Sequence, residues 1–398
     1  MQANQNADKW QWLEAELQRL RQHNLYRTLK VLEGAQSSHV LWQGRDMLML
    51  ASNAYLDLCN NDEVKRMAAQ YILSHGTGSG GSRLTTGTSD IHVQLEETLA
   101  GFKGREAAIV FNTGFAANSG IIPALCSSAD DVIFSDELNH ASIIDGCRQS
   151  PARTIVYRHN DMADLEQKIK ATEVRGHGLI VSDAVFSMDG DIVDLPGLVQ
   201  LAEKYNLLSM LDEAHATGVI GRTGHGTEEH YNLPGCVDIL MGTMSKALGA
   251  EGGYVCGSQK LIDFLRNKTR SYIFSTSLGP GTMAAALAAL QVIEREPQRV
   301  HRLQENVRWF CQCLRREGLA DNIPEQAATA IIPIHIGDEA QAVRVSDRLL
   351  AEGYFISAIR YPTVKRGQAI LRAALMSSHT RQELAQAAGA IARAIAQS

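Results

Sequence analysis

The sequence predicts an α/β protein, a mostly parallel mixed sheet covered by helices on both faces, followed by a smaller C-terminal α+β unit. Three observations carry that expectation. From about residue 60, short continuous apolar runs alternate with helical patterns, and strands without polar alternation are those buried on both faces. From about residue 290 the texture changes to long polar helices and a few strands. A chain of 398 residues is also too long for one ordinary core.

The elements follow in order. Trp10, Leu13, Leu17 and Leu20 recur at helical spacing near the start. "HVLWQGRDMLML" then reads as a hairpin, closing a first segment over 1–50. The large unit, 51–290, holds the strands "AAIVFN", "DVIFSD", "TIVYRH", "GLIVSDAVF", "LLSMLDEA", "VDILMGT" and "GGYVCGS". In the small unit, 291–398, the helix "PQRVHRLQENVRWFCQCLRREG" leads to strands "AIIPIHIG", "YFISAIR" and "AILRAALM". Thr380 and Glu383 have capping-box spacing at the start of a last helix.

Composition narrows the function classes. A formal charge of −6 provides no basic face, which argues against nucleic acid as the main partner. No apolar run approaches membrane-spanning length, and the start lacks the features of a signal peptide. The seven cysteines are an odd, scattered set, and the one close pair, Cys311 and Cys313, does not have zinc-site spacing. Reduced thiols and a cytoplasmic location are expected.

In an open α/β sheet, ligands bind at the carboxyl ends of the strands, and five stretches fall there. In "FNTGFAANSG", Thr113, Gly114 and Phe115 open a helix whose free N–H groups suit a phosphate. In "SDELNHASIIDG", His140 begins another helix, with a flat ring able to stack on a planar ligand. "SDAVFSMDGDIVDL" places Ser187, Asp189 and Gly190 in a polar turn. In "LDEAHATG", Asp212 ends an apolar run, where a carboxylate is costly unless paired, and His215 follows three residues later. In "GTMSKALGAEGG", Lys246 stands among small residues, and desolvation there would lower its pKa toward the range a Schiff base needs. Thr243 and Ser245 beside it can bond a phosphate.

Each stretch alone also reads as an ordinary turn, a structural histidine or a surface lysine. No Walker loop and no GxGxxG occurs among them, and the spacings do not suit a metal. Together they supply a phosphate cup, a ring-stacking histidine, an acidic partner for a ring nitrogen, a hydroxyl-bonding histidine and a Schiff-base lysine. Those are the parts that pyridoxal 5'-phosphate requires.

"SGSGGSRLTTGT", "NTGFAAN", "LNHASIIDG", "VFSMDGDI", "DEAHATGVIG" and "GTMSKALGAEGGYV" resemble, in order and spacing, the α-oxoamine synthases, and the likeness runs from about residue 45 to 390. These are fold-type I pyridoxal-phosphate acyltransferases that join an amino acid to an acyl thioester. The resemblance implies that Lys246 holds the cofactor, Asp212 pairs with its ring nitrogen and His215 bonds its phenolic oxygen. His140 would stack on the ring and donate to a developing oxyanion. Thr113, Gly114, Phe115, Ser187 and Thr243 would complete the cofactor shell. Arg372 in "AILRAAL" matches the arginine that grips the amino-acid carboxylate, and Thr363 in "AIRYPTV" a substrate-binding threonine. Asn53 and Tyr55 match the family's Asn-x-Tyr-Leu-Gly-Leu element, but Asp57 replaces its glycine and puts the local turn in question. Family members are homodimers with shared sites, and "FSTS", with Ser275 and Thr276, matches the stretch that reaches the neighbour's phosphate.

Within the family, "SGSGGSRLTTG", "VFSMDGDI" and "SAIRYPTV" look most like members that use L-alanine and a pimeloyl thioester of CoA or a carrier protein. Arg27 in "LYRTL" is the candidate for meeting the distant carboxylate. "YPTV", "DELNHASIIDG" and "GTSDIH" lean instead toward members that use glycine and acetyl-CoA. Regulators or scaffolds of this fold that lack the lysine or the arginine are the non-enzyme alternative, and here both residues are present.

Overall fold

The computed structural model describes residues 9–22 and 25–398. Helix Gln11–Gln22 comes first, followed by hairpin strands β1 (His39–Trp42) and β2 (Arg45–Met49). The central sheet takes the next seven strands, β3 (Ala107–Phe111), β4 (Val132–Asp136), β5 (Arg153–Tyr157), β6 (Gly178–Asp183), β7 (Leu208–Asp212), β8 (Ile239–Thr243) and β9 (Gly253–Gly257). Their order is β3-β9-β8-β7-β6-β4-β5. Strands β5, β4, β6, β7 and β8 run parallel, and β9 is antiparallel to both its neighbours. The sheet is therefore mixed and mostly parallel.

The continuous apolar runs follow from two cores, one on each face. Ile133, Val181, Met210 and Met241 belong to one core, while Phe134, Ile180, Leu211 and Leu240 belong to the other. Successive side chains of a strand point to opposite faces, so both parities must be apolar. The edge strand β5 departs from this pattern, because only Tyr157 of its five residues is buried.

The C-terminal region builds a second antiparallel sheet from β10 (Ile331–Gly337), β13 (Ala369–Ala374) and β12 (Ser357–Ile359), in the order β10-β13-β12. The segment "YFISAIR", read from sequence as one strand, is divided. Its first part, β11 (Tyr354–Phe355), pairs in parallel with β2, and only its second part joins β13. Apolar patterning cannot distinguish one strand from two that change sheets at a buried residue, here Ile356. The N-terminal hairpin is thus sewn to the C-terminal region through a cluster of Val40, Met47, Met49 and Leu350. The Thr380–Glu383 capping box forms as its spacing predicts, with bonds of 3.2 and 2.7 Å.

Asp57 keeps the turn that a glycine would make. Its φ of 54° and ψ of 33° are left-handed, a conformation that aspartate tolerates better than most side chains. The carboxylate accepts from Ser37 Oγ at 3.1 Å and from Asn60 Nδ2 at 3.0 Å, which offsets part of the strain.

Candidate active site

The carboxyl ends of β3, β4, β6, β7 and β8 open into one cavity of about 200 Å³. Thr113, Gly114, Phe115, His140, Ser187, Asp212, His215, Thr243 and Lys246 all line it. Stretches far apart in sequence meet there because parallel strands deliver their following loops to the same end of the sheet.

Local sequence accounts for each placement. Thr113 caps helix Gly114–Leu125 by accepting from Ala116 N–H at 2.9 Å, and this leaves the first N–H groups of the helix without intrahelical acceptors. A Cβ at Gly114 would sit tightly against Met241 Cε, at 3.2 Å, and touch Thr243, so glycine leaves the cup room that a side chain would take. His140 caps the next helix; its Nδ1 lies 2.7 Å from Ser142 Oγ and its backbone N–H donates to Asp183 at 2.8 Å. Thr243 donates to Gly252 O and lies 2.8 Å from Ser245 Oγ. Gly249, three residues after Lys246, has a φ of +62°, and a Cβ there would come within 2.3 Å of Cys59 N. The small residues of this loop therefore let it pack closely against the chain at Cys59.

The electrostatics are set by burial. Desolvation pushes the Lys246 ammonium down to about 8; Asp212 and Asp183 oppose the shift, and Arg372 adds to it. The same cause lowers His140 and takes His215 well below its ordinary range, with Lys246 contributing in both cases. Asp212 is ringed by donors, Asn118 Nδ2 at 2.7 Å and Ala214 N–H at 2.9 Å.

Sequence reading missed Asp183 and Asn118, and it named Tyr55 for its motif without foreseeing its bond to His215. Asp183 faces Asp212 in register across β6 and β7, and burial, then the charge of Asp212, raise it well above the carboxylate range. The available signal was an aspartate ending an apolar run, as at Asp212. Asn118 links Asp212 to Ser142 at 2.7 and 2.9 Å, a role that no spacing marks. Tyr55 Oη lies 2.7 Å from His215 Nδ1.

The remaining candidates lie around this centre. Buried Arg372 donates to Ser187 O at 2.6 Å and to Asn53 Oδ1 at 3.2 Å, which brings both beside the cavity. Arg27 and Thr363 line a second cavity of about 730 Å³ with Leu17, Arg360 and Tyr361. Thr363 is thus grouped with Arg27 and not with Arg372. Ser275 and Thr276 lie beside Asn112, outside the lining of the first cavity.

The turn that carries Ser187 is anchored from outside. His159 bridges Asp136 at 3.1 Å and Asp191 at 2.9 Å, and Asn160 Nδ2 donates to Ile192 O. Gly190 completes the turn with a φ of +70°, where a Cβ would strike Ile331 O at 2.3 Å. Burial would lower the His159 pKa, but the two carboxylates outweigh it and raise it to about 10. A histidine raised in the folded state stabilises fully below its unfolded value near 6.5, and the contribution fades as pH rises through 10. The stability difference between wild type and His159→Gln should therefore shrink between pH 6.5 and 10 in denaturant titrations, and a constant difference would contradict the ion-pair account.

The fold and this cluster define a pyridoxal-phosphate type of site, and comparison with known proteins agrees. The sequence profile of the family Aminotransferase class I and II matches residues 45–391. The chain belongs to that family and, within it, to the α-oxoamine synthases that its motifs resemble. It is similar to the 8-amino-7-oxononanoate synthases of Geobacter sulfurreducens and Symbiobacterium thermophilum. Each is 46% identical over 383 residues, covering 96% of this chain and 97% of the relative. Among solved structures, serine palmitoyltransferase from S. paucimobilis with bound PLP superposes with a TM-score of 0.91 at 30% identity, covering 97% of both chains. The 8-amino-7-oxononanoate synthase of Francisella tularensis gives 0.75 at 29% identity, covering 88% of this chain and 98% of the other.

Proposed function

We propose that this enzyme condenses L-alanine with a pimeloyl thioester, releasing carbon dioxide and forming 8-amino-7-oxononanoate, a step of biotin synthesis. The observation that carries the reading is the near-full-length identity to synthases of that name, on a chain that keeps the lysine, aspartate and histidines together in one cavity.

The residues present fit pyridoxal phosphate. Lys246, with an amine titrating near 8, can hold the aldehyde covalently. Asp212 offers acceptor oxygens already oriented by Asn118 and Ala214. The start of helix Gly114–Leu125, with Thr243 and Ser245, suits the phosphate. When bound, the cofactor supplies an electron sink for breaking bonds at the amino acid's α-carbon.

The chain supplies the rest. Arg372 grips the amino-acid carboxylate by charge-assisted bonds, with its Nε anchored on Ser187 O. Lys246 moves the α-proton, and its lowered pKa suits a base working near neutrality. His140, held by Ser142, donates to the oxyanion as the thioester carbonyl is attacked. Arg27 in the second cavity meets the distal carboxylate of the acyl chain.

A homodimer and a cytoplasmic location belong to the same reading. Trp10, Trp12, Leu73 and Phe274 are more than half exposed on the single chain, apolar surface that a second copy would cover. Ser275 and Thr276 would then reach the partner's phosphate. All seven cysteines are free thiols, which suits a reducing compartment, and among the described residues no helix is long and apolar enough to cross a membrane. The division into units 51–290 and 291–398, with the hairpin attached to the latter, is part of the proposal.

The test is carbon dioxide release for each substrate pair. L-Alanine with pimeloyl thioester should give the higher kcat/KM, and Arg27→Ala should erode selectivity for the pimeloyl chain by about 10-fold or more while leaving alanine use intact. A higher value for glycine with acetyl-CoA would replace this reading by the glycine acetyltransferase one.

A further inference from the structure

The cavity is connected to Arg372 by a hydrogen-bonded chain that is buried at Tyr55 and His215 and half-buried at Asn53. Arg372 Nη2 donates to Asn53 Oδ1 at 3.2 Å, Tyr55 Oη lies 3.1 Å from that same oxygen, and Tyr55 Oη lies 2.7 Å from His215 Nδ1. Tyr55 is fully buried and His215 nearly so. Burial pushes the phenol up to about 12 and takes the imidazole well below its ordinary value. The phenol therefore keeps its one proton and the ring carries one proton, and two acceptors compete for the phenolic hydrogen.

Two arrangements satisfy the pair. In the first, Tyr55 O–H donates to Nδ1, so the ring proton is on Nε2 and His215 presents a donor to the cavity. In the second, Tyr55 O–H turns to Asn53 Oδ1 and accepts from Nδ1–H, so Nε2 presents a bare lone pair. The exchange moves one proton from Nε2 to Nδ1, carried by solvent in the open cavity, and the pair gains and loses none. With Arg372 donating to Asn53 and the shorter distance being that to Nδ1, the unliganded protein favours the first.

We propose that Tyr55 is a positioning residue whose single proton sets whether His215 offers a donor or an acceptor to the site, and that a carboxylate on Arg372 switches this setting through Asn53. The reason is acceptor balance: when Arg372 turns its Nη2 to a ligand carboxylate, the half-buried Asn53 Oδ1 loses that donor, and the Tyr55 hydroxyl 3.1 Å away can replace it. Tyr55 is the donor within reach. The inference rests on Arg372 being the carboxylate grip, and it adds that filling this grip resets the opposite wall of the site.

The experiment uses holoenzyme labelled with ¹⁵N-histidine, with the His215 ring signals assigned by their loss in His215→Asn. Propionate, a carboxylate without an amine, is the probe, and calorimetry follows its binding. In wild type the protonated nitrogen should change from Nε2 to Nδ1 as propionate saturates. In Tyr55→Phe propionate should still bind and the ring should not respond. An unchanged tautomer in propionate-saturated wild type overturns the proposal and leaves the reading of Arg372 intact, as does a Tyr55→Phe ring that responds like wild type. Propionate that fails to bind wild type overturns both. The wild-type arm decides the matter even if Tyr55→Phe does not fold.

Discussion

Lys246→Ala is expected to lose turnover by about 10⁴-fold or more while keeping its fold. The variant removes both the covalent anchor and the group that moves the α-proton, and proton transfer by a placed side chain alone supplies up to about 10⁴-fold. The fold should persist because Lys246 lies in a cavity wall and burial disfavours its charge. Borohydride should no longer fix the cofactor to the chain, and retention of either activity or fixation would remove Lys246 from its role. In wild type, cofactor uptake by the apoprotein should rise about tenfold per pH unit and level off near 8, because below that pH the amine is protonated. A lysine with the ordinary value would keep rising to about 10.5.

Asp212→Ala is expected to bind cofactor yet exchange the α-proton of alanine at least about 100-fold more slowly, the scale of losing one placed electrostatic group. Two donors, Asn118 Nδ2 and Ala214 N–H, would also lose their acceptor. Asp183, in register on the next strand, is the other carboxyl lining the cavity and is placed to compensate. Asp212→Asn keeps the shape without the charge, so equal exchange rates in Asp212→Asn and wild type would assign the electrostatic role to Asp183. Exchange is measured by loss of the α-proton signal in heavy water.

The fold was legible because its strands are buried on both faces, and continuous runs such as "LIV" at 179–181 and "ILM" at 239–241 suit few settings besides the middle of a covered sheet. The cavity lining was legible for a related reason, since polar residues that end such runs are conspicuous. What escaped depends on contacts between distant segments. Tyr55 and His215 are 160 positions apart, and nothing local to either predicts their bond. The grouping of Thr363 with Arg27 rather than Arg372 likewise follows from where the chain changes sheets after Phe355, which apolar pattern does not encode. Asp57 escaped in the other direction: its sequence suggested a broken turn, and its side-chain bonds preserve one.

The pairing of β2 with β11 has a consequence for biosynthesis. Leu48 emerges from the ribosome long before its partner Tyr354, roughly 300 residues later; at synthesis rates of about 5–20 residues per second, the wait is roughly 15–60 s. Throughout that interval β2 has β1 on one side only, and its other edge lacks the β11 strand that covers it in the finished fold, the kind of edge that chaperones capture and that aggregates when they are scarce. The yield of this protein in a cell should therefore fall when chaperones are scarce, and it should respond to translation speed as well as to the stability of the finished molecule.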